Sequence, residues 1–296
     1  MTYNIHNSFL TLSVKSAGAE IISLVSKPHS IEYMWQADPE IWGRHAPVLF
    51  PIVGRLKNDQ YTYEGKSYTM KQHGFARNNE FELVSQAEDQ LHFRLLPNDD
   101  IRKMYPFDFQ MDIMYQLFQE EHEHGVKITY QIHNMGETTM PFSIGGHPGF
   151  SCPMVAGEEL TDYDVVFEEK ENLERHLLEG GLYNGETSPL LENEQIIPIT
   201  PTLFDQDALV VHSPKSDTVS LVSRKSGHKL TVDISAFDYL GIWAKPGAPF
   251  VCIEPWLGLA DYTDATGDIM EKTGVHLLLA GKRHTCSYAF KFANPS

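Results

Sequence analysis

The stretch Phe107-Asp108-Phe109-Gln110-Met111-Asp112-Ile113-Met114-Tyr115-Gln116-Leu117 decides the fold class of this chain. Its odd positions are all apolar or aromatic and most of its even positions are polar, which is the period of a strand with one buried face. A second run, Val126 to Ile132, alternates in the same way. The polar segment between the runs contains His122-Glu123-His124, which we interpret as a hairpin turn rather than a metal site.

Similar short runs recur along the chain and are separated by Gly, Pro, Asn and Asp, which predicts further strands. These strands are expected at residues 9–14, 20–25, 91–95, 219–222, 230–234, 275–279 and 287–292. Helical periodicity is confined to three short segments, at residues 39–42, 98–104 and 201–204. The acidic stretch 168–179 is expected to be a solvated loop or excursion. No repeat or linker divides the sequence, so residues 1–296 are predicted to fold as one all-β domain, a large sandwich.

Composition excludes several functional classes. The formal net charge of -17 disfavours nucleic acid and anionic lipid as partners. No apolar run approaches the roughly 18 residues of a membrane-spanning helix. Three cysteines in no CxxC pair indicate reduced thiols, and an N-terminus without a secretory signal indicates a cytoplasmic protein. We therefore expect a small-molecule partner, and local arginines could still bind an anion because distant charges are screened beyond about 8 Å.

Two motifs carry a histidine and a carboxylate in rigid surroundings. His147 lies in Gly145-Gly146-His147-Pro148-Gly149-Phe150, where proline favours extended backbone and the glycines permit close approach. Glu254 lies in Cys252-Ile253-Glu254-Pro255-Trp256, at the end of an apolar run. A buried carboxylate needs a partner or a raised pKa, as a general base would have. Trp256 could offer an apolar platform, although a structural role is at least as common for each of these residues.

A second group of polar residues lies in two turns. The first turn follows His45 and an apolar run that ends at Val53, and it contains Arg55. The second turn, Gln72-His73-Gly74-Phe75-Ala76-Arg77, contains His73 and Arg77. The guanidinium groups of these arginines could donate hydrogen bonds to vicinal hydroxyls or to an oxyanion. The alternative interpretation is that each arginine forms an ion pair at the surface. No nucleotide-binding loop, serine nucleophile elbow or HExxH metal helix is present.

Taken together, the motifs resemble the aldose 1-epimerase, or galactose mutarotase-like, family, and more closely its LacX-type bacterial branch. The matching pieces are Gly18 to Leu24, Leu49 to Arg55, His73 to Arg77, Gly146 to Phe150 and Ile253 to Trp256. They cover nearly the whole chain in the order of the family. The resemblance implies a galactose mutarotase-like β-supersandwich that interconverts the α and β anomers of an aldose without a cofactor or a metal.

The resemblance also implies roles for individual residues. Glu254 matches the general base and His147 the general acid of the family. Arg55 and His73 match positions that hold sugar oxygens, and His73 could also stabilise charge at the ring oxygen. Asp207 is the expected hydroxyl-binding aspartate, with Asp205 as the alternative.

One departure from the better-known members concerns the substrate. The segment Gly74 to Arg77 resembles the branch that acts on hexose 6-phosphates, in which an arginine contacts the phosphate. A free hexose such as galactose or glucose is the leading expectation, and a hexose 6-phosphate is its nearest rival. A non-catalytic sugar-binding or regulatory protein on the same fold is the third alternative, because a fold does not fix a function. The protein is expected to be a monomer or homodimer.

Overall fold

A computed structural model describes residues 1–293, and strands dominate it. The strands are β1 (Thr2–His6), β2 (Leu10–Lys15), β3 (Glu20–Ser26), β4 (Ile31–Glu32), β5 (Val48–Leu49), β6 (Gln60–Tyr63), β7 (Lys66–Thr69), β8 (Glu82–Gln86), β9 (Gln90–Leu95), β10 (Phe109–Gln119), β11 (Glu123–Asn134), β12 (Met140–Phe142), β13 (Ile144–Gly146), β14 (Gly149–Ser151), β15 (Tyr163–Glu179), β16 (Leu182–Pro198), β17 (Leu209–His212), β18 (Thr218–Ser223), β19 (Lys229–Asp233), β20 (Tyr239–Trp243), β21 (Phe250–Leu257), β22 (His276–Leu278) and β23 (Arg283–Ala293). One α-helix, α1 (Asp99–Met104), and three short 3-10 turns, Lys57–Asp59, Ala76–Asn78 and Leu160–Asp162, complete the regular structure of the described residues.

The hairpin predicted from alternation is confirmed as β10 and β11. The two strands pair in an antiparallel register from Phe109 with Asn134 to Gln119 with His124. The apolar odd positions of β10 are buried, as are the alternate positions Val126, Ile128 and Tyr130 of β11. Burying one face of each strand removes this apolar surface from water and fixes the register, because a slip of one residue would expose every buried side chain.

A large antiparallel sheet carries most of the molecule. Its strand order is β5-β13-β21-β20-β17-β15-β18-β19-β23-β11-β10-β9-β8, with β14 also paired to β21 and β16 to β15. Strands β1 to β4 form a separate four-stranded sheet, and two further pairs are β6 with β7 and β12 with β22. All seven additional strands expected from the sequence are present within a few residues of their predicted bounds.

Three sequence predictions of local structure are wrong. The acidic stretch 168–179 is the second half of β15 and not a loop. Exposed and buried positions alternate from Lys170 to Arg175, and the buried carboxylate of Glu171 accepts hydrogen bonds from the backbone N–H and hydroxyl of Ser216, both at 2.8 Å. Residues 39–42 and 201–204 form turns instead of helices. The prediction at 98–104 is confirmed by α1, where Asn98 caps the helix by accepting from the N–H of Ile101 at 2.8 Å.

The fold brings the two polar motifs into adjacent strands. Strand β21 pairs on one side with β20 and on the other with β13 and β14, which flank His147. Strand β5 covers the outer edge of β13. The site thus lies where short strands end at one edge of the large sheet. Within the described residues, no helix is long and apolar enough to span a membrane.

Candidate active site

A cavity of ≈ 250 Å³ contains most of the polar residues that the sequence singled out. Its walls are formed by Trp42, Gly54, Gln72, His73, Arg77, His147, Leu178, Gly181, Tyr183, Asp207, Ala208, Val210, Trp243, Glu254, Trp256 and Ala260. A roomier cavity of ≈ 420 Å³ lies beside the ion pair of Lys272 with Asp261, but it includes neither His147 nor Glu254. Convergent titratable groups, rather than size, identify the smaller cavity as the candidate active site.

Glu254 is held in the middle of β21, opposite Gly241 of β20, and is 1% exposed. Burial raises the pKa of its carboxyl well above the usual range, and the nearby charge of Asp207 acts in the same direction. The indole N–H of Trp256 opposes this shift in pKa without forming a hydrogen bond of regular geometry. Glu254 is therefore a fixed, buried carboxyl that holds a proton more strongly than an exposed glutamate does.

Trp256 fits beside Glu254 because its neighbouring strands carry glycine. A Cβ added at Gly241 would lie 2.5 Å from the Trp256 ring, and one added at Gly145 would lie 2.7 Å from it. These distances are too short for any side chain. The two glycines thus explain why the indole can lie across the strands and form a wall of the cavity, as its predicted role requires.

His147 is fixed through its backbone. Its N–H donates to the carbonyl of Pro47 at 3.2 Å, and the N–H of Gly149 donates to that of His45 at 2.8 Å. The segment that accepts these bonds is itself fixed by Glu20, whose buried carboxylate accepts from the N–H groups of His45 and Ala46. This network connects the motif around Glu20 to the orientation of the histidine.

The His147 ring is enclosed by aromatic side chains. Trp42 stacks on it with ring centroids 4.9 Å apart, and Trp243 meets it edge to face at 5.8 Å. Burial lowers the pKa of His147 well below its usual value, and the positive charge of Arg77 adds to the effect. The aromatic faces favour the imidazolium form and so work in the opposite direction.

The acid and base candidates lie side by side. Nε2 of His147 is 3.3 Å from Oε2 of Glu254. Because one pKa is raised and the other lowered, the pair readily holds a single proton between the two groups. Moving that proton from the carboxyl to the imidazole gives a carboxylate and an imidazolium, which is the arrangement that general acid-base chemistry needs.

His73 is a hydrogen-bond donor with a defined tautomer. Its Nδ1 accepts from the N–H of Gly54 at 3.1 Å, and its own backbone N–H donates to the carbonyl of Gly54 at 2.8 Å. Burial, with the charges of His147 and Arg77, lowers the pKa of His73 well below its usual value. A neutral ring with an accepting Nδ1 carries its proton on Nε2, so His73 can donate to a ligand but cannot accept at that atom.

The turn that presents His73 depends on glycine. His73 and Gly74 both have positive φ, of 65° and 70°. A Cβ at Gly74 would lie 2.2 Å from the carbonyl oxygen of Phe50. Only glycine at position 74 permits the turn to pack this closely against the backbone of Phe50.

Arg77 contributes positive charge to the cavity wall. One terminal nitrogen donates to the carbonyl of Gln72 at 2.6 Å, while Nε is buried without a hydrogen-bond partner in the described part of the chain. Burial lowers the pKa of Arg77 to about 10, and the charge of Arg44 contributes. Because Arg77 lines the cavity, its guanidinium can bind an oxygen-rich ligand there.

Asp207, rather than Asp205, lines the cavity. One oxygen of Asp207 accepts from the N–H of Ala208 at 2.8 Å. Arg175 fixes this segment by donating to the carbonyls of Asp207 and Ala208 at 3.0 and 3.3 Å. Residues 201–207 form turns and a bend rather than a strand, and Asp205, the alternative aspartate, does not line the cavity.

Arg55 is the predicted site residue that the structure does not bring to the cavity wall. Its guanidinium pairs with Asp59 at 3.0 Å and donates to the carbonyl of Gly180 at 3.3 Å. Asp59 is also held by Lys71 at 3.0 Å. Attraction to Asp59 turns the side chain away from the cavity and toward the tip of the β15–β16 hairpin, whose Gly181 and Tyr183 do line the cavity.

Several wall residues had no signal in the sequence. Nothing in the sequence around Trp42 or Trp243 distinguished them from other aromatic residues as candidates for the site. Tyr183 and Leu178 come from the β15–β16 hairpin, half of which was interpreted as a loop. Only the folding of that hairpin across the sheet brings these residues to the site.

One group of donor atoms could hold a metal ion. A ligand atom from each of His147, Cys252 and Glu254 lies within 4.8 Å of the others, the one such group in residues 1–293. Burial raises the pKa of the Cys252 thiol well above its usual value, so forming the thiolate ligand would be costly. The closeness of His147 to Glu254 allows a proton to pass directly between them without a metal ion.

Comparison with known proteins identifies the family of this chain. The family model described as aldose 1-epimerase matches residues 1–275. The plasmid-encoded protein LacX of Lactococcus lactis is 37% identical over 281 residues, which cover 92% of each chain. A structure of a galactose mutarotase related enzyme from Lactobacillus acidophilus is 37% identical, with a TM-score of 0.93 over 100% of this chain and 98% of that one.

A galactose mutarotase-like protein from Lactobacillus casei is 31% identical, with a TM-score of 0.92 over 99% of this chain and 100% of that one. The architecture is thus the galactose mutarotase-like fold expected from the sequence. With a family match over most of its length and relatives above 30% identity, the chain belongs to the aldose 1-epimerase family and is an isomerase of the epimerase or mutarotase type.

Proposed function

We propose that the protein is a cofactor-independent aldose 1-epimerase that interconverts the α and β anomers of a free hexose, with Glu254 as base and His147 as acid. The observation that carries this proposal is the buried contact of 3.3 Å between Nε2 of His147 and Oε2 of Glu254. The anomeric hydroxyl and the ring oxygen of a sugar are bonded to the same carbon. An acid and a base that lie side by side can therefore serve both oxygens.

The reaction needs two proton transfers in each direction. The Glu254 carboxylate takes the proton of the anomeric hydroxyl while the His147 imidazolium protonates the ring oxygen, and the bond from the anomeric carbon to the ring oxygen breaks. The open-chain aldehyde then rotates about the bond next to the carbonyl. Reversal of both transfers closes the ring on the other face, so no proton or electron is gained or lost overall.

The remaining wall residues suit a polyhydroxylated ligand. His73 offers an N–H donor at Nε2, Asp207 offers carboxylate oxygens, and Arg77 offers guanidinium donors. Trp256 and Trp42 supply apolar faces for the C–H groups of the ring. A few placed polar groups within aromatic walls are typical of small-molecule sites.

A hexose 6-phosphate is the second candidate substrate, and the positive charge of Arg77 at the cavity wall favours it. The Arg77→Ala variant separates the two substrates. A much larger loss of kcat/KM for glucose 6-phosphate than for glucose would support the phosphorylated substrate. Equal losses would support the free hexose.

Anomer exchange measured by NMR tests the proposed activity. Glucose, galactose and their 6-phosphates would be compared with wild type, with His147→Asn and with no protein. We expect wild type to accelerate exchange and His147→Asn to lose most of the acceleration while still binding sugar. A folded wild-type protein that accelerates none of the four sugars would contradict the proposal.

A further inference from the structure

Cys252 lies next to the candidate acid and base and has no part in the proposed reaction. A ligand atom of Cys252, one of His147 and one of Glu254 all lie within 4.8 Å of one another, and all three residues are buried. Cys252 and Glu254 are two positions apart on β21, so their side chains point to the same face of the sheet. Cys252 also pairs with Gly149, two residues after His147. A thiol, an imidazole and a carboxyl group thus converge on one point.

The spacing of these groups is close to that of zinc ligands. Zinc binds nitrogen and oxygen at about 2.0–2.2 Å and sulfur at about 2.3 Å, so two ligands of one tetrahedral ion lie roughly 3.3–3.8 Å apart. Nε2 of His147 and Oε2 of Glu254 are 3.3 Å apart. The sulfur of Cys252 would need to approach the other two ligand atoms by no more than about 1 Å. Three protein ligands and one open position form a known type of zinc site.

Two polar atoms of this group have no hydrogen bond to lose. Within residues 1–293, Nδ1 of His147 is buried without a hydrogen-bond partner. Oε2 of Glu254 also accepts no hydrogen bond of regular geometry, although it lies 3.3 Å from Nε2 of His147. Burying an unpaired polar atom costs free energy, and coordination to a metal ion would remove that cost.

Charge balance permits a divalent ion at this depth. Burial favours the neutral forms of Cys252 and Glu254. A Zn²⁺ ion that displaces one proton from each would leave the net charge of the site unchanged, because the thiolate and the carboxylate balance its two positive charges. The zinc–sulfur bond offsets the cost of forming the thiolate, since metal coordination deprotonates a thiol. The charges of Arg77 and Asp207, which also act on the acid-base pair, are opposite in sign.

The ligand types select among metal ions. Thiolate and imidazole bind zinc and related transition metals well, whereas Mg²⁺ and Ca²⁺ prefer ligands that are all oxygen atoms. His147 and Glu254 line the cavity and Cys252 does not, so the open position of a bound ion would face the cavity. The ion can therefore enter by the route that a sugar uses.

We propose that His147, Cys252 and Glu254 form an inhibitory Zn²⁺ site. A bound ion occupies the imidazole and the carboxyl group that exchange protons with the sugar, so anomer exchange stops while the ion is present. Binding exchanges two protons for one Zn²⁺, and no electron is transferred. The inhibition rests on the proposed function, whereas the binding of zinc does not.

The first test measures anomer exchange by NMR against free Zn²⁺ set by a metal buffer. Cys252→Ala removes the sulfur ligand, and Cys252→Ser removes it while keeping the size of the side chain. Cys286→Ala is the matched control, because Cys286 is another buried free thiol and lies outside the group. We expect zinc to inhibit wild type and Cys286→Ala equally, and chelation or replacement of zinc by Mg²⁺ to restore full exchange.

Both Cys252 variants should keep their exchange activity without metal and should need at least about 10–100-fold more zinc for the same inhibition. Loss of a group that only supports a metal ligand already has an effect of that size. Equal inhibition of wild type and both Cys252 variants would show that the thiol is not a ligand and would overturn the inference.

A second test follows binding without activity, with Co²⁺ as a probe for the zinc site. Wild type should show the absorption of a sulfur–cobalt bond, which added Zn²⁺ abolishes and which both Cys252 variants lack. Wild type without this absorption and without zinc inhibition would refute the site. The absorption in a protein that exchanges no sugar would refute the proposed function and keep the metal site.

Discussion

Nε2 of His147 and Oε2 of Glu254 lie 3.3 Å apart at the meeting of β13, β14 and β21, although about a hundred residues separate them in the chain. Both side chains are almost fully buried, so water does not screen their interaction. Each residue shifts toward its neutral form on burial, and the pair retains one exchangeable proton.

Glu254→Gln should remove the base while keeping the shape of the site. We expect kcat for anomer exchange to fall by about 10²–10⁴-fold, the usual contribution of one general acid-base group. Sugar binding, measured by calorimetry, should persist. Glu171→Gln is the control, because Glu171 is equally buried but bonds to Ser216, and neither residue lines the cavity. Wild-type kcat in Glu254→Gln would exclude this residue as the base.

Arg77 should set the acid limit of activity. Its positive charge lowers the pKa of His147, so Arg77→Gln should raise that pKa. With a higher pKa, His147 keeps a proton at higher pH while Glu254 is also protonated, and no group is left to act as base. The fall of kcat/KM on the acid side of its pH profile should therefore begin at higher pH. The pH profile of anomer exchange checks this, with Arg102→Gln as a control from an exposed ion pair. An unchanged acid limb would contradict the electrostatic role.

Gly241→Ala should displace Trp256. The added Cβ would lie 2.5 Å from the indole, and overpacking of this kind costs about 1–3 kcal/mol. Urea denaturation should show the loss of stability, and anomer exchange should slow because the wall beside Glu254 moves. The double variant Gly241→Ala with Trp256→Phe should recover stability relative to Gly241→Ala alone. Additive losses in the double variant would show that the glycine does not act through the indole.

His212 should contribute to acid sensitivity. Burial lowers its pKa from 6.5 to about 4, and the stacked ring of His176, 3.5 Å away, adds to the effect. Between these pH values the unfolded chain binds a proton at His212 that the folded chain does not, so stability falls as the pH drops from 6.5 toward about 4. His212→Phe should flatten this fall in urea denaturation midpoints, and an equally steep fall in the variant would exclude His212.

Arg55 should act on the cavity through the β15–β16 hairpin. Arg55→Ala removes the donor to the carbonyl of Gly180 and should increase hydrogen exchange at residues 178–183. KM for the sugar should rise, while global stability should change little because the ion pair with Asp59 is partly exposed. Arg102→Ala again provides the control. Unchanged exchange at the hairpin tip, together with a higher KM, would instead support the direct sugar contact predicted from the sequence.

The sequence by itself determined the strand-rich architecture and predicted the two residues that lie at the centre of the candidate site. Alternation along β10 and β11 fixes which face of each strand is buried, since apolar side chains must leave water whichever strands they pair with. His147 and Glu254 could be identified because Gly, Pro and aromatic neighbours constrain the local backbone around them.

Tertiary structure decided what surrounds that pair. The contact of Arg55 with the carbonyl of Gly180 and the choice between Asp205 and Asp207 at the cavity wall depend on segments distant in sequence. The stacking of Trp42 on His147 depends on such contacts as well. Local periodicity reports only which side of an element is buried. The orientation of a polar or aromatic side chain within a site is set by the partners that other strands bring to it, and these partners exist only once the large sheet has formed.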